Sequence, residues 1–294
     1  MQFLKKTNID FLGLKSIAFI ISLVLVILSL SLLLVKKPSF GIDFTGGSLI
    51  HLKFEVPPST AKLRQALDQI GIKECSIQKF GGSKIVIIRV KSLNREEGIA
   101  DKISSGISEE IPGVVFEVLR TEMVGPAVGS YLKEKAVKAF IFAFIGMIMY
   151  VAWRFKGGIW GFAAVIALIH DVIVTFGILN FLGVTIDLTV VAALLTLAGY
   201  SINDSIVVYD RIRENIRLHY KKPLMEVINM SINSTLSRTV ITSGTTLMVI
   251  VAILLKGGAV LYGFSVTLFA GIIIGTYSSV FVASPLVYSW HNQK

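Results

Sequence analysis

Residues 188–209 read LTVVAALLTLAGYSINDSIVVY. A bilayer core about 30 Å thick needs roughly 20 apolar residues of helix. This stretch meets that length while carrying one formal charge, Asp204. Five more stretches share the pattern: Ile17–Val35, Ala136–Trp153, Ile159–Leu182, Thr239–Leu255 and Gly263–Tyr288. The composition agrees, with 53% hydrophobic and 16% charged residues, where soluble domains carry about 25% charge. So much apolar surface does not fit inside one core of this length, and a disordered chain needs the opposite balance. The single cysteine, Cys75, excludes a disulfide framework and a multi-cysteine metal site. The first span is too long for the apolar part of a cleaved leader, and Lys36-Lys37 follows it where small residues are expected, so it is read as retained.

Basic residues set the expected orientation. Lys5, Lys6 and Lys15 precede the first span, Arg154 and Lys156 separate the second from the third, and Lys294 ends the chain. Arg211, Arg213, Arg217, Lys221 and Lys222 lie between the fourth and fifth. All fall on one side, whereas the short loops opposite hold only Lys256, with Asp187 against it. Residues 1–35 are therefore expected to be a cytoplasmic N-terminus and first helix, 136–288 the remaining five helices, and 289–294 a cytoplasmic tail. This placement accounts for the net charge of +10 without nucleic acid. The connection 210–232 mixes arginines with Ile212, Ile216, Leu224 and Val227, as in a helix lying on the membrane lipids or docking to a partner.

Residues 36–135 differ in composition and read as a folded extracytoplasmic domain. Ser48–Glu55 alternates like a strand, and Ser59–Ile70 has helical spacing with Ser59 as N-cap. Glu74–Phe80 and Lys84–Val90 flank Gly81-Gly82 as a hairpin, Arg95–Glu110 is amphipathic, and Val114–Glu122 is a last strand. The order βαββαβ is the ferredoxin-like pattern. The expected fold class is thus membrane α-helical, with six transmembrane helices and one extracytoplasmic α+β domain. His51 reads as an ordinary polar strand residue and Cys75 as a small apolar one.

A charge at the bilayer centre costs at least about 2.5–3.5 kcal/mol, so intramembrane ionisable groups need a reason. The third span carries His170 and Asp171, the fourth Asp204 beside Asn203, and the fifth opens beside Arg238. Lys138 sits near a span end, where a long side chain snorkels. Thr189, Thr196, Tyr200 and Asn203/Asp204 form a polar stripe at helical spacing, as do Ser234/Thr235, Arg238, Thr242 and Thr245/Thr246. Facing stripes make Asp204–Arg238 the expected pair. Arginine stays protonated, so the aspartate is the group able to carry a proton, its affinity switched by approach of the guanidinium. The bland reading is a static pair that fixes helix register. His170 and Asp171 read as accessory polar groups or as packing. Gly271 and Gly275 form a GxxxG element continued by Ser278/Ser279.

The motifs FGIDFTGG (residues 40–47), MVGPAVG (123–129), LIHDVIVTFGI (168–178), AGYSINDSIVVYDRIREN (198–215) and SRTVITSGTTLMV (237–249) together resemble the SecF family of the bacterial SecD–SecF export complex, in the resistance-nodulation-division superfamily. Phe40, Gly41, Asp43, Gly46 and Gly47 carry the first motif. The resemblance implies a subunit of the bacterial inner membrane that uses the proton gradient to promote preprotein translocation. It implies SecD, the SecYEG channel and unfolded preprotein as partners, with YajC a further candidate, and no cofactor, metal or catalytic site. It implies a proton pathway through Asp204 and Arg238 and a further acidic group in SecD; Asn203, Tyr200, Thr242, Thr245, His170 and Asp171 are read from the residues themselves as its accessory polar network. The rival readings are a non-transporting scaffold and a lipid or drug exporter of the same superfamily. An intramembrane aspartyl protease is disfavoured, because Asp210 lies on a different helical face from Asp204.

Overall fold

The computed structural model describes residues 7–79, 84–91, 98–155 and 158–291. Lys5, Lys6, Gly81-Gly82, Arg95, Lys156 and Lys294, which entered the sequence reading, lie outside those residues. The chain divides into two compact units, one of Met1–Ser39 with Lys138–Lys294 and one of Phe40–Val137.

The second unit begins with a one-turn helix, α2 (Ile42–Thr45), and continues β1 (Gly47–Phe54), α3 (Thr60–Gln69), β2 (Cys75–Lys79), β3 (Ile85–Val90), α4 (Ile99–Glu110) and β4 (Phe116–Val124). The strands form one antiparallel sheet in the order β2-β3-β1-β4, the ferredoxin-like arrangement. Alternation puts Ile50, Leu52, Val86 and Ile88 on the face covered by Leu63, Leu67, Ile103 and Ile107 of the helices. Ser59 caps α3 as expected, its hydroxyl accepting from the Lys62 N–H at 3.2 Å. His51 is buried on β1 opposite Ile87 and Arg120. Burial, then Arg120 and Arg89, lower its pKa. Cys75 is half-buried, and burial pushes its thiol up, which makes it a poor nucleophile.

Two glycine motifs meet in this unit. Gly46 has φ +70°, and a Cβ there would stand 3.0 Å from the Pro126 Cα. A Cβ on Gly129 would stand 3.0 Å from the Gly46 nitrogen. FGIDFTGG and MVGPAVG therefore touch backbone to backbone, which a side chain at either position obstructs.

Among the described residues, six helices are long and apolar enough to cross a membrane. They are α1 (Lys15–Val35), α5 (Pro126–Phe155), α6 (Gly158–Leu182), α7 (Leu188–Leu218), α8 (Leu224–Lys256) and the stretch Gly258–His291. The last comprises α9 (Gly258–Ser278), a π-helical turn over Ser279–Ala283 and α10 (Ser284–His291). Pro285 explains the widened turn: it has no N–H for the Phe281 carbonyl, and its ring crowds that oxygen. The Ser284 hydroxyl donates to the Ser279 carbonyl at 2.9 Å within it. Close packing uses small residues as expected. A Cβ on Gly271 would meet Leu197 at 2.4 Å, and one on Gly275 would meet Ser201 at 3.2 Å.

Element boundaries differ from the sequence expectation. Helix α5 starts ten residues before Ala136, at a proline suited to a first turn; Lys133, Glu134 and Lys135 hide that start from an apolar count. The connection 210–232 is not a separate surface helix. It is the end of α7, a turn through His219–Pro223, and the beginning of α8, with Asn215 donating to Ser231 at 2.9 Å between the two helices. The chain before α1 also docks on α8. The Asn229 and Asn233 side chains accept the Leu12 and Ile9 N–H groups at 2.9 Å each, and Asn233 returns a bond to the Ile9 carbonyl at 2.8 Å. Leu12 is fully buried there.

Candidate functional site

Helices α6, α7, α8 and α9 pack around two carboxylates. Asp171 of α6 is completely enclosed. Its Oδ2 accepts from Ser201 Oγ at 2.5 Å and from Ser278 Oγ at 2.7 Å, and its Oδ1 lies 2.9 Å from His170 Nδ1. An ionised carboxylate only accepts, so the imidazole proton then sits on Nδ1. The opposite ring nitrogen, Nε2, is buried without a hydrogen-bond partner among the described residues. The His170 and Tyr277 rings lie 6.3 Å apart, and Tyr277 reaches α1 through the Ala18 carbonyl at 2.9 Å.

Asp204 of α7 is buried as well, 8% exposed. Its Oδ1 accepts from Thr239 Oγ1 at 2.7 Å, and its Oδ2 accepts from Ser279 Oγ at 2.6 Å. Ser279 opens the π-helical turn and the adjacent Ser278 serves Asp171, so neighbouring hydroxyls where α9 passes into that turn hold the two acids. Ser201, another Asp171 donor, precedes Asp204 by three residues, one turn of α7.

The expected direct pair of Asp204 with Arg238 does not form. The α8 residue that reaches the carboxylate is Thr239. Arg238 is the residue before it, about 100° around the helix, where it is exposed and has no ion-pair partner among the described residues. The other expected members disperse. Asn203 is exposed beside Asp204. Tyr200 donates to Ser243 Oγ at 3.3 Å, and Ser243 lies 2.8 Å from Thr276 Oγ1, which extends the polar seam along α9. Thr242 and Thr245 donate to carbonyls of their own helix and remain exposed. His170 and Asp171, read from sequence as accessory groups or packing, turn out to be the more enclosed acid site.

Sequence reading missed Thr239, Ser201, Ser278 and Ser279 as carboxylate donors. Ser278/Ser279 were read as continuing a small-residue packing face. The available signal was two hydroxyls side by side in an apolar helix, six residues before a proline. Among the described residues no His, Cys, Asp or Glu cluster is arranged to hold a metal ion.

The comparisons with known proteins bear on this geometry. Residues 107–293 match the C-terminal model of the protein export membrane proteins SecD/SecF, and residues 31–58 match the SecD/SecF GG motif. The chain is 43% identical over 288 residues to the protein translocase subunit SecF of Desulfurispirillum indicum, covering 96% of this chain and 91% of that one. It is 47% identical over 287 residues to SecF of Calditerrivibrio nitroreducens, covering 96% and 94%. Among solved structures, the crystal structure of SecDF, a translocon-associated membrane protein from Thermus thermophilus, superposes with a TM-score of 0.88 at 38% identity. That match covers 97% of this chain but only 39% of the SecDF chain. Sequence and fold agree over nearly all 294 residues, and the chain belongs to the SecD/SecF family of protein export membrane proteins.

Proposed function

We propose that this chain is the SecF-type half of a membrane complex that uses the proton gradient to promote preprotein translocation through the Sec channel. The observation that carries the reading is the setting of Asp204. A carboxyl is buried among membrane-length helices, held by hydroxyls rather than by a cation, beside a helical turn that departs from regular geometry. Hydroxyls can donate to the ionised form and accept from the protonated form, so both states can be accommodated by rotation of Thr239 and Ser279. A carboxyl locked to a guanidinium would instead be held in one state.

Arg238 belongs to the same cycle but acts from the outer face of α8, with Thr242 and Thr245 along its stripe. A guanidinium at the rim of an apolar span, whose charge reaches Asp204 but which has no acid within ion-pair distance among the described residues, leaves room for a counter-charge from elsewhere. SecD is the proposed source, and the pairing of SecD and SecF in the family supports this. YajC, the SecYEG channel and the unfolded preprotein are the further proposed partners. The basic connections support an orientation with both termini in the cytoplasm and the ferredoxin-like domain, proposed as residues 36–135, outside the bacterial inner membrane. His170 and Asp171 are proposed as accessory to Asp204.

The test is preprotein import by inverted membrane vesicles containing this chain and SecD. The proton and sodium gradients are collapsed separately. Import should lose its gradient-stimulated part only when the proton gradient is removed. Stimulation that persists without a proton gradient and vanishes without sodium overturns the proton reading, and stimulation indifferent to both supports the scaffold.

A further inference from the structure

Away from the buried carboxylates, a cavity of about 350 Å³ opens where α5 ends and α7 leaves its apolar span. It is lined by Arg154, Asp210, Arg213, Glu214, Arg217 and Leu218. Asp210, Arg213/Glu214 and Arg217 recur at helical spacing along α7, and Arg154 faces them from the last turn of α5. The two acids are already engaged. Asp210 Oδ2 accepts from Arg154 Nη2 at 2.8 Å, and Glu214 Oε2 accepts from Arg211 Nη1 at 2.7 Å. Arg213 and Arg217 have no ion-pair partner among the described residues, so the cavity presents two guanidinium groups one turn apart without a counter-ion.

Its surroundings decide between possible anions. Trp153, next to Arg154, is 77% exposed, Leu218 65% and Tyr220 78%. Exposed Trp and Tyr at the ends of membrane helices mark the headgroup level, and an exposed Leu offers a surface for acyl chain. Arginine forks match the paired oxygens of a phosphate. We propose that this cavity binds the phosphate of an anionic phospholipid headgroup, with Arg213 and Arg217 on its oxygens and Arg154 completing the ring. Inorganic phosphate shares the headgroup chemistry but has nothing to lay against Leu218 and Trp153. An acidic protein segment would need no acyl chain. The inference rests on the six-span reading and is independent of what Asp204 does.

The experiment uses the full chain purified with SecD in detergent and measures retention of short-chain phosphatidylglycerol by native mass spectrometry. Phosphatidylcholine and inorganic phosphate are the comparison probes. Phosphatidylglycerol should be retained over both. The double variant Arg213→Gln/Arg217→Gln should weaken its retention about 30-fold, from roughly one decade and a half for two surface arginines. Lys222→Gln, which removes a basic residue already paired with Glu226, should leave it unchanged. Equal retention of phosphatidylcholine, equal binding of inorganic phosphate, or the same loss in Lys222→Gln would each overturn the site. A thermal melt of each variant separates loss of the site from loss of the fold. Export is not read, so a failure here leaves the translocation reading standing, and a failure of that reading leaves this one.

Discussion

Replacing Asp204 by asparagine removes the titration and keeps the shape. The carboxylate accepts two short bonds, from Thr239 and Ser279. In Asp204→Asn the amide oxygen keeps one of them, and the amide NH2 donates to the other hydroxyl after it rotates. The structural cost should therefore stay near the net value of one ordinary hydrogen bond, about 1 kcal/mol. The functional cost is larger. A proton crossing 100 mV supplies about 2.3 kcal/mol, which at about 1.4 kcal/mol per tenfold biases a two-state packing by roughly fortyfold. The variant should assemble with SecD and melt within a few degrees of the parent. It should lose most of the gradient-stimulated import into inverted vesicles while keeping the part driven by ATP alone. An Asp204→Asn protein that assembles, melts normally and still responds fully to the gradient would refute the reasoning, because the carboxyl would then be only a structural acceptor.

Four other outcomes are expected. Asp171→Ala strands Ser201 and His170 in a closed site and leaves Ser278 only its bond to the Gly275 carbonyl, and should lower stability by about 3 kcal/mol, read as an earlier thermal melt in detergent than for Asp204→Asn. Gly129→Ala drives a Cβ against the Gly46 backbone and should destabilise the domain by about 1–3 kcal/mol. Gly71→Ala, with φ +85° but open space around it, should cost only the left-handed penalty of about 1–2 kcal/mol; limited proteolysis of the full chain ranks the two. His51 has a pKa held below its usual 6.5, so below that pH the unfolded domain binds more protons than the folded one. Domain stability should fall as pH drops from about 6.5 towards the lowered value and stay flat above it, a slope that His51→Gln should remove.

The spans were legible because length and hydropathy are properties of single segments. The sheet order was legible because alternation, a capped helix and turn residues recur at spacings that one topology satisfies. The site was legible only in part. Asp204 announced itself by the cost of a charge in lipid, whereas Thr239 and Ser279 did not, since a hydroxyl in an apolar helix bonds its own backbone as readily as a neighbour. The direct contact of Arg238 with Asp204 was over-read because a stripe at helical spacing gives a face but not which of its residues reaches the neighbouring carboxylate, although the Arg238 charge still acts on Asp204. One step of 100° separates Thr239, which bonds the carboxylate, from Arg238, which is exposed and acts on it only through its charge. The starts of α5 and α8 were hidden by the same logic in reverse: charged and amide residues such as Glu134 and Asn229 continue a helix without adding to its hydropathy.

The widened turn at Ser279–Ala283 holds one residue more than a regular coil would use over the same rise. Sequence length across this point is therefore not interchangeable with length elsewhere in the last span. Deleting one residue there would regularise the coil and swing Leu286, Val287 and Trp290 round by about 100°, away from the neighbours they now pack against. Inserting one into the straight part of α9 would misalign Ser278 and Ser279 with both acids together. Gaps of one residue in this stretch should therefore be rarer among relatives than substitutions, because a single-residue gap turns one end out of phase with the other.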